Sequence, residues 1–146
     1  MELLIGHELA QSPPLAELHK RLSTIVGVGF VVAAQLVAAL TRLAFTRVQS
    51  FIAYTGLDPR ADDSGMRRGR RRLSKRGPRL LRCLLYNAGM AAAHSKLFKP
   101  LYTALRSRGL HSTEAIVVLA RKLARIAYAL YRSGATFDPV KYRTAT

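Results

Sequence analysis

Nine cations and no acid stand between Met66 and Arg82: Arg67, Arg68, Arg70, Arg71, Arg72, Lys75, Arg76, Arg79 and Arg82. Charge runs of this kind are usually solvated faces or tails. This one lies between two stretches with helical patterning, so it is not a terminal tail. Repulsion among the cations disfavours a free loop, and a bound polyanion relieves it. Arginine dominates the block, and its planar fork suits phosphate oxygens. The whole chain shares the bias, with 24 Lys and Arg against 8 Asp and Glu, a net charge of +16. That balance argues against cationic ligands. It points to DNA or RNA as partner, with binding that is salt-dependent and largely indifferent to base sequence.

The rest of the composition narrows the classes. At 146 residues, 49% of them apolar, the chain is long enough for one domain with a real core. The eight carboxylates are scattered from Glu2 to Asp138, so no self-contained two-metal site is expected. Cys83 is the sole cysteine, and His7, His19, His94 and His111 are far apart; no zinc spacing and no internal disulfide exist. Ile25 to Leu40 is nearly uncharged but shorter than the roughly 20 residues a membrane span requires. It reads as a buried helix, with no membrane partner and a cytoplasmic location expected.

The period of the apolar residues predicts an all-α fold of five to seven helices with no sheet beyond two short strands. A helix capped by Ser12 and opened by Pro13 and Pro14 runs through Leu15, Leu18 and Leu22 towards Gly27. A second spans Phe30 to Leu43, and a short third spans Val48 to Tyr54, closed by Gly56. Pro59, Gly65, Gly69 and Gly77 break any period from Leu57 to Gly77, which reads as a long loop. Beyond Pro78, Leu81, Leu84, Leu85, Ala88, Ala91 and Ala92 share a helix face. Pro100 opens a helix that Gly109 stops. Ser112 caps the last helix, with Ile116, Leu119, Leu123, Ile126 and Leu130 inward, Arg121, Lys122 and Arg125 on the other face, and Gly134 at its end. The organisation expected is a single domain over 1–146: a helix-hairpin-helix at about 15–43, a basic loop at 57–77, a helical bundle at 78–134 and a loose tail at 135–146, where Phe137 and Tyr142 could dock. The expected core comprises Leu22, Ile25, Leu36, Leu84, Leu85, Leu101, Leu119, Leu123 and Ile126.

Two motifs bear on chemistry. Leu22 to Gly29 (LSTIVGVG) has the Gly-hydrophobic-Gly turn of a helix-hairpin-helix. Amides at and after Gly29 open the second helix, where free N–H groups favour a phosphate. Gly27 and Gly29 serve either that contact or close helix packing, and the residues leave both open. Asp62-Asp63-Ser64-Gly65 immediately precedes the cations. A serine beside a flexible glycine in a field of arginines is placed to attack a phosphodiester. Ser-Gly is equally a common turn that Asp63 could cap. Ser74, between Leu73 and Lys75, is a rival serine with a phosphate-binding or turn role.

Together these pieces resemble the C-terminal transposase domain of the insertion-sequence 110/116/902 family, DEDD-type recombinases of bacterial mobile elements. The matching strings, in family order, are Leu22 to Gly29, Phe51 to Gly65 (FIAYTGLDPRADDSG), Leu73 to Leu84 (LSKRGPRLLRCL), Tyr102 to Gly109 (YTALRSRG), Ala120 to Tyr131 (ARKLARIAYALY) and Phe137-Asp138-Pro139. The resemblance implies DNA transposition by strand cleavage and rejoining, with Ser64 as nucleophile forming a phosphoserine link and the SKRG stretch near the nucleic acid. It implies oligomers, in some members a structured guide RNA, and a nucleoid-associated setting. It further implies a RuvC-like domain whose four acids hold a divalent metal beside the serine. This chain starts after that domain would end, so Mg2+ is expected only with the RuvC-like domain, in cis or in trans, and the chain alone is expected to be inactive. Val26 replaces the proline usual in the hairpin. The competing readings are a non-catalytic basic helix-hairpin-helix protein, an inactive remnant, and a structural bundle, which leaves the charge unexplained. None of the six tyrosines has an Arg-His-Arg framework around it. Tyr128 and Tyr131 read as an interface side of the last helix.

Overall fold

The computed structural model describes residues 12–61, 71–73 and 78–143. Their architecture is all-α: α1 Pro13–Leu22, α2 Phe30–Arg42, α3 Val48–Thr55, α4 Arg79–Ala93, α5 Lys99–Ser107 and α6 Ser112–Ser133, with a 3₁₀ turn at Pro139–Tyr142. Between α3 and α4, β1 (Pro59–Ala61) pairs antiparallel with β2 (Arg71–Leu73), joining Pro59 to Leu73, Arg60 to Arg72 and Ala61 to Arg71. The stretch expected to be a loop therefore carries a short ladder. Three residues per strand are too few for an alternating pattern to register in the sequence.

Local chemistry sets the helix ends. Ser12 occupies the N-cap of α1, but its hydroxyl makes no capping bond; its carbonyl accepts from Ala16 N at 2.9 Å. α1 stops at Leu22, short of Gly27. The hydroxyls of Ser23 and Thr24 bond back to the carbonyls of His19 (2.8 Å) and Arg21 (2.6 Å), drawing the chain into a turn. α2 has seven buried residues, including Ala33, Leu36 and Leu40. At about 1.5 Å per residue it rises roughly 20 Å, less than the ~30 Å of a bilayer core. Among the described residues no helix is long and apolar enough to cross a membrane. Gly56 closes α3 with φ 74° and Gly134 closes α6 with φ 77°, both left-handed positions. The N-cap of α6 is His111, not Ser112: Glu114 Oε1 accepts the His111 amide at 3.1 Å, which starts the helix one residue earlier.

The most extensive helix pairing joins α4 to α6. It is built from small residues: Ala88, Gly89, Ala92 and Ala93 on α4, with Ala115, Ala120, Ala124 and Ala127 on α6, all buried. At Gly89 a β-carbon would lie 2.8 Å from Ile116 O, so glycine alone permits this approach. Around this pair Leu22, Ile25, Leu36, Leu85, Leu119, Leu123 and Ile126 are buried as expected. Leu84 and Leu101 only pack at the core margin, and Ala91 is exposed. Phe51 and Phe98 are fully buried members that patterning did not single out. Tyr128 belongs to the core too. It stacks on Phe51 at 5.9 Å, and its hydroxyl donates to Phe45 O at 3.2 Å, which corrects the interface reading.

The tail expected to be loose is docked as far as Arg143. Arg21 donates to Leu130 O (2.7 Å) and Ala135 O (3.2 Å), and Phe137 N donates to Thr24 Oγ1 at 3.2 Å. Phe137 is buried and stacks on Tyr142 at 5.3 Å. The two aromatics supply apolar area that a polar tail would lack.

Candidate nucleic-acid interface

The turn at 23–29 gives its two glycines different surroundings. Gly27 has φ 87°, and a β-carbon there would meet Ala88 O at 2.6 Å and Ala92 N at 3.2 Å. It lets the turn lie against the backbone of α4, which is the packing role. Gly29 has φ −92° and is exposed, with nothing within 4 Å of a β-carbon position. It is the N-cap of α2, where the first-turn amides have no intrahelical acceptor. The neighbouring Phe30 is 44% exposed and meets the His19 ring edge-on at 4.6 Å; His19 Nε2 donates to Phe30 O at 3.0 Å.

The second constellation is rooted in the core. Leu57 is buried, and Arg121 Nε of α6 donates to Leu57 O at 3.1 Å. Thr55 is fully buried and its hydroxyl accepts from Leu57 N at 3.3 Å. The Arg121 guanidinium is half-buried. Burial and then the Arg125 charge push it below the usual arginine range, while Asp58 draws it back up. Directly beyond Asp58 the chain enters the β1–β2 ladder, whose inner ends Ala61 and Arg71 are partners.

Of the cations picked from the sequence, Arg71 and Arg72 lie in β2, and Arg79 and Arg82 on the first turn of α4. Arg67, Arg68, Arg70, Lys75 and Arg76 lie outside the described residues, as do Ser64 and Ser74. Arg79 is exposed. Arg82 carries one terminal guanidinium nitrogen that is buried without a hydrogen-bond partner among the described residues. An unmet charged donor costs at least about 1–3 kcal/mol, and an anionic acceptor would relieve it.

The structure also brings forward residues that sequence reading passed over. Arg121 reads as part of the outer face of the last helix and Arg21 belongs to no motif, yet each donates to a carbonyl far away in the chain. Nothing in their own spacing signals this. Gly89 could have been found from the small residues Ala88, Ala91, Ala92 and Ala93 around it, whose counterpart is the alanine series on α6.

Among the described residues no group of three His, Cys, Asp or Glu side chains converges. Glu114 caps α6, Asp138 accepts from Val140 N, and Asp58 lies beside Arg121. These three carboxylates do not fit a divalent cation.

Residues 19–103 match the family model described as Transposase IS116/IS110/IS902 family. No curated protein matches the chain. The matched region takes in the 23–29 turn, the whole basic segment and α4, and covers more than half of the chain. The chain belongs to the IS116/IS110/IS902 family of transposases, and its role lies in transposition.

Proposed function

We propose that this chain is the DNA-binding, nucleophile-bearing part of a DEDD-type transposase, the C-terminal portion of the active enzyme, which cuts and rejoins DNA in the bacterial cytoplasm. The observation that carries the reading is the β1–β2 ladder. It brackets residues 62–70 on a root clamped by Arg121, and that span holds Ser64 followed by Arg67, Arg68 and Arg70. In the proposed step Ser64 Oγ attacks phosphorus. An Oγ–P bond forms, a bridging P–O bond breaks, the serine proton passes to a base, and the leaving sugar oxygen takes up a proton. The surrounding arginines offset the charge that develops on the phosphoryl oxygens.

The α1–α2 hairpin acts as a helix-hairpin-helix, its α2 amides meeting a backbone phosphate at the open Gly29. The buried, unmet guanidinium nitrogen of Arg82 favours an anion on the same chain. A RuvC-like domain, in cis or in trans, supplies the acids for a divalent metal; a guide RNA and oligomerisation belong to the same family pattern.

The test combines the chain with a RuvC-like domain, element-end DNA and any guide RNA, and looks for a denaturant-resistant protein–DNA adduct. The expected result is an adduct that Ser64→Ala abolishes and Ser74→Ala retains. The reverse pattern would move the nucleophile to Ser74. No adduct with both serines intact, where a full-length relative reacts, would make the chain a binder without catalysis.

A further inference from the structure

We infer a second phosphodiester-binding surface, built by the fold from cations that no sequence run announces: a groove between the start of α5 and the C-terminal 3₁₀ turn, carrying Lys96, Lys99 and Arg143. The inference rests on the nucleic-acid reading above but not on the basic block. Two cavities adjoin here, of about 370 and 550 Å³, and share Lys96 and Pro100 in their walls. Arg143 and Pro139 complete the first, and Lys99 and Thr103 line the second. Among the described residues no acid lines either cavity. Asp138, the acid adjacent in sequence, has its carboxylate occupied by Val140 N at 3.1 Å.

The distribution of charge over two cavities speaks for a chain rather than a compact ligand. Lys96 lines both cavities, Arg143 only the first and Lys99 only the second, while Leu97, Pro100 and Ala104 add apolar lining. A small-molecule site encloses its ligand and converges polar groups on it. A backbone-tracking groove spreads its charges rather than converging them on one point, and here three cations are shared out over two adjoining cavities.

One wall is also held in place. Arg143 follows Tyr142, which stacks on Phe137 at 5.3 Å and lies under Lys122 Nζ at 5.8 Å. Phe137 is tied in turn to Thr24 of the 23–29 turn. Lys99 sits on the first turn of α5. Lys99 and Arg143 thus come from separate parts of the fold, and the Arg143 side is anchored through Tyr142 and Phe137, which lowers the ordering cost of binding.

The test uses the full chain and three charge-reversal variants: the groove (Lys96→Glu, Lys99→Glu, Arg143→Glu), the block (Arg70→Glu, Arg71→Glu, Arg72→Glu) and a control of exposed cations elsewhere (Arg42→Glu, Arg47→Glu, Arg108→Glu). Each is titrated with duplex DNA, single-stranded DNA and single-stranded RNA over a range of salt, with melting temperature measured beside. The groove variant should melt like the parent, bind at least about tenfold more weakly, and lose roughly 2–3 from the slope of log affinity against log salt, as expected for three lost phosphates. The control should lose clearly less. The probe with the largest loss identifies whether DNA or RNA runs there. Groove and control variants that fall equally, or a groove variant that binds every probe like the parent while the block variant does not, would overturn the groove and leave the nucleic-acid reading standing. A parent chain that binds none of the probes would overturn both.

Discussion

The 23–29 turn and the segment between α3 and α4 both connect helices, both contain glycine, and both are candidate phosphate contacts, yet they are held in opposite ways. The turn is pressed onto α4 through Gly27 and tied to the C-terminal segment through Thr24. The segment is secured at its root, where Leu57 is buried and Arg121 holds its carbonyl. Close backbone packing fixes a connection along its length; a charge-assisted hydrogen bond fixes it at a point. The hairpin turn is held along its backbone, whereas the segment is held where Arg121 meets Leu57 O.

Substitutions can break this contrast, and the largest effect belongs to the turn. Gly27→Val combines a left-handed φ with a β-carbon 2.6 Å from Ala88 O. It should cost about 2–4 kcal/mol, the sum of backbone strain and overpacking. Urea unfolding measures this, and unchanged stability would show that the turn is not pressed onto α4. Next comes the clamp. Arg121→Met keeps the apolar stem but removes the donor to Leu57 O, and should cost about 1.5–3 kcal/mol in thermal unfolding. A smaller loss would mean that the root is held chiefly by Leu57 packing.

Gly29→Ala sharpens the comparison within the turn. Its β-carbon meets nothing, so the stability loss should be only about 0.5–1 kcal/mol, the difference between glycine and alanine at an N-cap. DNA affinity should fall while the protein stays folded; unchanged affinity would remove the α2 amides from the interface. The smallest effect on stability is expected for Ser64→Ala, about 0.5 kcal/mol or less by equilibrium unfolding, because the residue is assigned chemistry rather than packing. A loss above that would give Ser64 a structural duty.

The helices were legible because period and punctuation agreed. Pro13, Gly56, Pro100 and Gly134 stand at or next to helix ends as expected. What escaped was whatever depends on a partner distant in sequence. Gly27 and Gly29 look alike until Ala88 and Ala92 are set against one of them. Tyr128 reads as a surface aromatic until Phe45 and Phe51 meet it. The C-terminal segment reads as loose because its two aromatics, five residues apart, carry no period of their own. Leu84 and Leu101 sit at face edges, where period alone does not separate buried from half-buried. At the candidate interface, sequence gave the cations and the serine, but not the ladder or the clamp at their base.

The most direct test of the central contrast is to shorten the segment and measure DNA binding. Residues 62–70 are replaced by Asn-Gly, joining the paired residues Ala61 and Arg71 through a two-residue turn. The expected result is a chain that melts like the parent but binds duplex DNA more weakly, with the salt slope reduced by roughly 2–3 as Arg67, Arg68 and Arg70 leave the interface. Affinity and salt slope equal to the parent's in a folded, shortened chain would contradict the assignment of this segment to DNA.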